Sequence, residues 1–233
     1  MRKVREFFLR GEAWVAGLVA LLFAGGAIMA AAATAPPLVP VPLLEQLTGR
    51  YGSDARVRLL TWQILVREEA SALERRRLLR INEFVNRTPF VEDRDHWQQE
   101  DYWATPVQFL ASNGGDCEDY AITKLFSLQS AQINPDKLRL MYVTAKSLNQ
   151  PHMVLLYRAN PGAHPLVLDN LNSEVTAARD RTDLVPVYSF NASGLWLNRS
   201  GSHEIQEVKV RNRPGSSRGG ELLVRIDNEG VFR

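Results

Sequence analysis

The hydrophobic residues of this chain change from a helical spacing in the first half to a strand-like spacing in the second. In residues 53–87, apolar side chains recur every three or four positions between charged residues, which predicts two amphipathic helices. A further helix is predicted from Asp116 to about Ala131. Strand-like runs, rich in β-branched and apolar residues and separated by turn residues, follow at 138–145, 152–158, 166–168, 184–190 and 194–197. Helices followed by strands predict an α+β fold, with a helical N-terminal half packed on an antiparallel sheet.

The N-terminal end of the chain has the composition of a targeting segment. Basic residues precede an uncharged stretch from Ala13 to Leu44, in which the apolar run from Trp14 to Ala33 ends in small residues. This pattern predicts that residues 1–35 are a signal peptide, or a membrane anchor if they are not cleaved. Prolines from Pro36 to Pro42 predict an extended linker within an N-terminal segment at 36–52.

We expect the folded domain at residues 53–200 and a C-terminal extension at 201–233 that is partly mobile. The region from Arg211 to Gly220 is rich in Arg, Gly and Ser, which predicts a mobile loop. The residues after Gly220 predict a last hairpin around Asn228-Glu229-Gly230, because an Asn and a Gly close together favour tight turns.

Charge and histidine spacing exclude two classes of protein. The formal net charge is +2, and residues 1–35 hold four basic and two acidic groups, which leaves 24 of each sign in the remainder. A nucleic-acid-binding protein would show a basic surplus, so no nucleic-acid partner is expected. His96, His164 and His203 lack the spacing of a zinc site, and we expect them to be solvated.

The only cysteine, Cys117, follows a Gly-Gly-Asp turn and stands at the start of a predicted helix. Unpaired N–H groups and the dipole at a helix N-terminus favour a thiolate and can stabilise an oxyanion. A lone cysteine can also be a small buried apolar residue, but the acidic surroundings of Cys117 argue against that interpretation. Together with His152 and Asp169, it forms the residue set of a thiol nucleophile, a base and an orienting acid. We predict these three as catalytic residues.

A hairpin would bring His152 and Asp169 together. If its centre falls between Asn160 and Pro161, His152 faces Asp169 and Val154 faces Val167. Directly opposed residues in an antiparallel pair have Cβ atoms about 4.5–5.5 Å apart. An imidazole and a carboxylate so placed can form a hydrogen bond, which leaves the other ring nitrogen to serve the thiol.

The carboxylates of Asp116, Glu118 and Asp119 crowd the thiol. Clustered carboxylates are ligands for a hard cation such as calcium, although the spacing is not that of an EF-hand. Acids at a helix N-terminus also complement the helix dipole without any ion. From the residues alone, both interpretations of these acids stay open.

The motifs resemble those of the bacterial transglutaminase-like cysteine proteinases of the LapG type. The resemblance runs from about Asn82 to Leu197 and is specific in its combination of motifs. The matching segments are Gly115-Asp116-Cys117-Glu118-Asp119-Tyr120-Ala121, His152-Met153-Val154-Leu155 preceded by Asn149, Leu168-Asp169-Asn170, Pro186-Val187-Tyr188-Ser189-Phe190-Asn191 and Gly194-Leu195-Trp196-Leu197.

The resemblance implies a papain-like fold of the transglutaminase type. It places the family's Cys-His-Asp triad on Cys117, His152 and Asp169, and its Ca²⁺ site on the three acids beside the cysteine. It further implies a periplasmic endopeptidase that cleaves the N-terminal region of a large surface adhesin at a di-alanine site. That cleavage releases the adhesin and promotes biofilm dispersal. An inner-membrane receptor for cyclic di-GMP is the partner expected to sequester the protease.

Two other functions are compatible with the same residues. A transglutaminase or amidase would use the same triad and differ in whether an amine or water takes the acyl group. A catalytically idle calcium-binding adaptor would act only through its receptor, although all three triad residues are present.

Overall fold

The computed structural model describes residues 37–198, 207–211 and 217–232. The predicted signal peptide or anchor at 1–35 therefore lies outside the described residues. Within the described ranges, every helix is too short or too polar to cross a membrane.

The first half of the described chain is helical. The two helices predicted in 53–87 are present and are separated by a short turn at 70–73. The predicted helix that begins beside Cys117 is also present and is the central helix of the domain. The helices are α1 Val41–Tyr51, α2 Ser53–Glu69, α3 Glu74–Val85, α4 Asp93–His96, α5 Pro106–Ser112 and α6 Cys117–Ser130.

The second half forms one antiparallel sheet and ends in a helix. The strands are β1 Leu138–Ala145, β2 Gln150–Tyr157, β3 Leu166–Leu168, β4 Thr176–Ala177, β5 Leu184–Asn191, β6 Gly194–Asn198 and β7 Glu207–Arg211, followed by helix α7 Ser217–Glu229. Their order in the sheet is β4-β3-β2-β1-β5-β6-β7. The chain must therefore cross three strands between β4 and β5, and residues 178–183 make that crossing.

The core lies on both faces of the sheet because the central strands are apolar on alternating sides. On one face, residues such as Leu140, Met153 and Leu155 pack with the helices in the main hydrophobic cluster. The other face carries a smaller cluster of Met141, Val143, Ala145, Val154, Leu156, Val167 and Leu184. The predicted α+β fold, with helices packed on an antiparallel sheet, is confirmed.

Two predictions about the ends of the domain are wrong. The extended linker ends at Pro40, and α1 begins at Val41 with a proline in its first turn, a position where a missing N–H is tolerated. The predicted C-terminal hairpin is helix α7, whose Leu222 and Ile226 are buried in the main cluster. Burial of this apolar face outweighs the local turn signal. Residues 217–220 of the predicted mobile loop belong to α7, and 212–216 lie outside the described residues.

Candidate active site

Cys117 and His152 line the same cleft, which has a volume of about 640 Å³. The cleft opens where the N-terminus of α6 meets the start of β2. The other residues of its walls are Phe90, Glu92, Glu100, Asp101, Asp116, Glu118, Tyr142, Leu148, Gln150, Pro151, Asn170 and Leu171.

Cys117 is the first residue of α6, as the Gly-Gly-Asp turn predicts. Its thiol donates to Oε2 of Glu118 at 3.0 Å, and the backbone N–H of Met153 on β2 donates to its sulfur. Burial raises the pKa of the Cys117 thiol, and the charge and hydrogen bond of Glu118 raise it further. The Met153 hydrogen bond opposes this effect because it stabilises the thiolate.

His152 and Asp169 form a buried hydrogen-bonded pair. Nε2 of His152 lies 2.7 Å from Oδ1 of Asp169, and the two residues are 4% and 1% exposed. The backbone N–H of Leu171 also donates to Oδ1, at 3.1 Å. Burial opposes ionisation of Asp169, but the hydrogen bond and charge of His152 and the hydrogen bond of Arg181 outweigh it and lower the pKa of Asp169 to about 2. The carboxylate is therefore ionised at neutral pH.

The predicted hairpin register is wrong by two residues, although the two side chains meet. Val167 pairs with Leu156 rather than with Val154. The turn runs from Asn160 to Ala163, where the Ala163 N–H donates to the Asn160 carbonyl at 3.0 Å, so the centre lies one residue further along the chain than predicted. A two-residue slip keeps every side chain on its face of the sheet. His152 and Asp169 thus remain diagonal neighbours.

A cluster of carboxylates adjoins Cys117. The three acids predicted from the sequence lie together with Asp93 from α4 and Asp101 from the segment before α5. Carboxylate oxygens of Asp93, Asp116 and Asp119 lie within 4.8 Å of one another, and so do those of Asp93, Asp101 and Glu118.

The chemistry of this cluster fits a hard divalent cation. Asp93 Oδ1, Asp116 Oδ1 and Asp119 Oδ2 are buried and accept no hydrogen bond from the described residues. Burial, with the charge of Glu118 in addition, raises the pKa of Asp93 to about 6 and raises the pKa of Asp116 well above its ordinary value. Calcium binds carboxylate oxygens, so an ion at this position would compensate the charge of these buried side chains.

Backbone contacts assemble the cluster from separate parts of the chain. The N–H of Val91 donates to the carbonyl of Gly115 at 3.0 Å, which brings the segment before α4 against the cysteine turn. The N–H of Ala104 donates to Oδ1 of Asp119 at 2.7 Å, and the N–H of Tyr102 donates to Oδ2 of Asp93. The segment between α4 and α5 therefore wraps around the start of α6.

Sequence reasoning missed Asp93 and Asp101 as members of this cluster. Both lie in a polar stretch that also contains Glu92, Asp95 and Glu100. The number of acidic residues in this stretch could have indicated a cation site. Only the fold shows that Asp93 is buried, whereas its neighbour Asp95 is exposed. The prediction that His96 is solvated is also wrong, because this half-buried side chain lies with Nε2 2.8 Å from the Ser112 hydroxyl.

The chain is similar in sequence and in fold to known bacterial proteins. The family model of the bacterial transglutaminase-like cysteine proteinases matches residues 63–200. The calcium-bound structure of Legionella pneumophila LapG is 35% identical, with a TM-score of 0.67, over 78% of this chain and 97% of that chain. An EGTA-treated structure of the same protein is 35% identical, with a TM-score of 0.69, over 82% and 100%.

No curated protein matches the chain. The family model nevertheless spans more than half of the sequence, and the LapG structures are covered almost completely. Fold and motifs agree with this match, since the helical half packs on an antiparallel sheet and Cys117 begins the central helix. The chain belongs to the family of bacterial transglutaminase-like cysteine proteinases.

Proposed function

We propose that the protein is a calcium-dependent cysteine endopeptidase in which Cys117 is the nucleophile, His152 the base and Asp169 the orienting acid. Its family membership supports a cysteine protease. One observation carries the assignment of roles: His152, bonded to the buried Asp169, lines the same cleft as Cys117 at the start of α6. Geometry of this kind is how a triad is recognised.

From the hydrogen bond to Asp169 we infer different roles for the two ring nitrogens of His152. With Nε2–H donated to the carboxylate, Nδ1 is the nitrogen that accepts the proton of the Cys117 thiol. The sulfur then forms a bond to the scissile carbonyl carbon, and the carbonyl electrons move to oxygen. Backbone N–H groups at the helix start stabilise this oxyanion.

Breakdown of this intermediate completes the cycle. The C–N bond breaks, and Nδ1 of His152 gives its proton to the leaving amine, which leaves a thioester on Cys117. Water then gives a proton to Nδ1 and attacks the thioester carbon. The C–S bond breaks, the acid product leaves, and the proton returns to the sulfur.

The cation proposed for the acidic cluster is Ca²⁺, held by Asp116, Glu118 and Asp119 together with Asp93 and Asp101. Support comes from the buried carboxylate oxygens that accept no hydrogen bond from the part of the chain that the structure describes, and from the calcium-bound structure of LapG. When bound, the ion would neutralise the carboxylates beside the thiol. It would also join the segment between α4 and α5 to α6.

For the biological setting, we propose a periplasmic protease that cleaves the N-terminal region of a large surface adhesin at a di-alanine site and so promotes biofilm dispersal. We further propose an inner-membrane cyclic di-GMP receptor as the partner that sequesters it. These proposals are supported by the similarity to LapG and by the targeting composition of residues 1–35.

A cleavage assay tests this function. The protein lacking residues 1–35 is incubated with the N-terminal fragment of a candidate adhesin that contains a di-alanine site, with calcium or with EGTA. We expect cleavage with calcium and little with EGTA. Cys117→Ala should abolish cleavage, because no second thiol exists in the chain to replace the nucleophile. The variant should unfold at the same thermal midpoint as wild type.

Mass spectrometry of the products separates the alternatives. Two fragments whose masses include one added water show hydrolysis, whereas incorporation of an added amine shows the transglutaminase alternative. Cleavage by Cys117→Ala at the wild-type rate would exclude the thiol mechanism. Full activity of wild type after exhaustive chelation would exclude calcium dependence.

A further inference from the structure

The two carboxylate oxygens of Asp169 have different partners. Oδ1 accepts from His152 Nε2 at 2.7 Å and from the Leu171 N–H at 3.1 Å. Oδ2 accepts from Nη2 of Arg181 at 2.6 Å. Because Asp169 is only 1% exposed, water has little access to Oδ2. Without the guanidinium, this oxygen would be buried with no hydrogen-bond donor among the described residues, and the carboxylate could rotate away from His152.

Arg181 is itself held in place from the other side. Its side chain is 5% exposed, and Nε and Nη2 donate to the two oxygens of Asp183 at 2.9 and 2.7 Å. Asp183 is fixed by its backbone, since its carbonyl accepts from the N–H of Lys146 at 2.9 Å. Leu184 then continues directly into β5, where it pairs with Ala145. The segment that crosses from β4 to β5 thus delivers Arg181 to the catalytic acid.

We propose that Arg181 is a positioning residue for the reaction: it holds the Asp169 carboxylate in the rotation that directs Oδ1 at His152. The inference rests on the triad roles proposed above. It extends the triad by two residues, so that a continuous chain of hydrogen bonds runs from His152 through Asp169 and Arg181 to the half-exposed Asp183. A planar guanidinium fork suits this task because it can hold two carboxylates in fixed directions.

The charges around Asp169 determine the expected dependence on pH. His152 faces it from β2, Arg181 and Asp183 from the crossing segment, and Lys124 from α6. Burial lowers the pKa of Lys124 to about 7, and the charge of Asp169 opposes that shift. Removal of the Arg181 cation raises the pKa of Asp169. Protonation of the orienting acid, and loss of activity, should then begin at a higher pH than in wild type.

A purely structural role would give a different result. Arg181 could serve only to tie the crossing segment to the sheet, in which case its loss would lower stability and leave the catalytic parameters of the folded fraction unchanged. Arg76 provides the matched control, since its Nη2 lies 3.1 Å from the buried Glu69 and it does not line the cleft. Arg76→Met also removes an ion pair to a buried acid, but neither partner lines the cleft.

The experiment compares Arg181→Met, Arg181→Lys and Arg76→Met in the adhesin-fragment assay, with calcium present. For Arg181→Met we expect a roughly 10–100-fold lower kcat with KM within about twofold of wild type, which is the loss typical of outer-shell partners that orient metal-ligating histidines. As the pH is lowered, the activity of Arg181→Met should begin to fall at a higher pH than that of wild type. Arg181→Lys should recover part of the lost kcat, since the charge remains without the fork. Arg76→Met should leave kcat and the pH profile unchanged.

A spectroscopic measurement reports on the geometry without turnover. In protein labelled with ¹⁵N-histidine, the Nε2–H of His152 should give an exchange-protected downfield proton signal, assigned by its absence from His152→Gln. We expect the signal in wild type and Arg76→Met, and its loss or broadening in Arg181→Met. If Arg181→Met does not fold, the same two measurements, the activity with its pH profile and the His152 proton signal, are made on Arg181→Lys.

The outcomes separate this inference from the triad itself. Wild-type kcat, pH profile and His152 signal in the folded Arg181 variant would overturn the positioning role. If Asp169→Asn were also fully active, the proposed triad would fail as well. An inactive Asp169→Asn beside a fully active Arg181→Met would overturn only the role of Arg181.

Discussion

Gly115 and Asp119 approach each other so closely that only glycine fits at the first position. A Cβ added to Gly115 would lie 2.3 Å from Oδ2 of Asp119 and 2.7 Å from the ring of Phe109. Both distances are shorter than real Cβ contacts allow. The second glycine of the Gly-Gly-Asp turn therefore leaves room for a carboxylate of the proposed calcium site.

Gly115→Ala should weaken calcium binding because the added methyl group displaces the Asp119 carboxylate. We expect at least a tenfold loss of affinity by isothermal titration, since calcium affinity depends on the number and placement of charged ligands. Gly49→Ala is the control, because nothing lies within 4 Å of that Cβ position in α1. Equal calcium affinities of the two variants would place Asp119 outside the site.

Asp93→Asn tests a ligand that only the structure brings to the cluster. Asp93 is 2% exposed, and its Oδ1 lacks a donor among the described residues. The amide removes one negative charge, so we expect calcium affinity to fall at least tenfold and protease activity to need more calcium. Asp95→Asn, an exposed neighbour in α4, should keep wild-type affinity. If both variants bind calcium like wild type, Asp93 does not ligate the ion.

Asp169→Asn should change how stability depends on pH. The folded-state pKa of about 2 lies below the ordinary 3.8, so this group stabilises the fold above pH 4 and loses its contribution as the pH falls towards 2. The shift corresponds to roughly 2 kcal/mol. In urea unfolding at a series of pH values, the stability advantage of wild type over the variant should shrink by about that amount. If the difference in stability between wild type and Asp169→Asn stays the same at every pH, the pKa of Asp169 is not lowered in the folded state.

Leu222→Ala tests whether helix α7 belongs to the core. Leu222 is 4% exposed in the main hydrophobic cluster, whereas Val224 on the same helix is 61% exposed. Removal of the buried side chain should lower the free energy of unfolding by about 2–5 kcal/mol. Val224→Ala should change it by less than about 0.5 kcal/mol. Similar losses for both variants would mean that the helix does not pack as described.

Helix α7 also illustrates why the C-terminal prediction was wrong. The local pattern around Asn228-Glu229-Gly230 favours a turn, and the helix does end there at Glu229. Its position is determined by distant partners: the Arg225 guanidinium donates to the Trp103 carbonyl, and Thr105 donates to Glu229 at 2.8 Å. Such contacts join residues more than 120 positions apart, which no local pattern records.

Features that depend on local spacing could be predicted from the order of the residues. Apolar periodicity located α2, α3, α6 and the strands from β1 to β3, and the Gly-Gly-Asp turn placed Cys117 at the first residue of a helix. Strand alternation also placed His152 and Asp169 on one face. A period of two assigns the face from sequence alone, and it leaves the register free to slip by two residues.

Which distant residues share a site depends on how the folded elements pack together. The turn at Asn160–Ala163 set the register of β2 and β3, and the crossing from β4 to β5 carried Arg181 to Asp169. Packing of the segment before α4 against the cysteine turn brought Asp93 to Asp116. These contacts depend on how whole helices and strands pack. The packing energy is spread over many contacts between residues far apart in the chain, so no local sequence pattern records it.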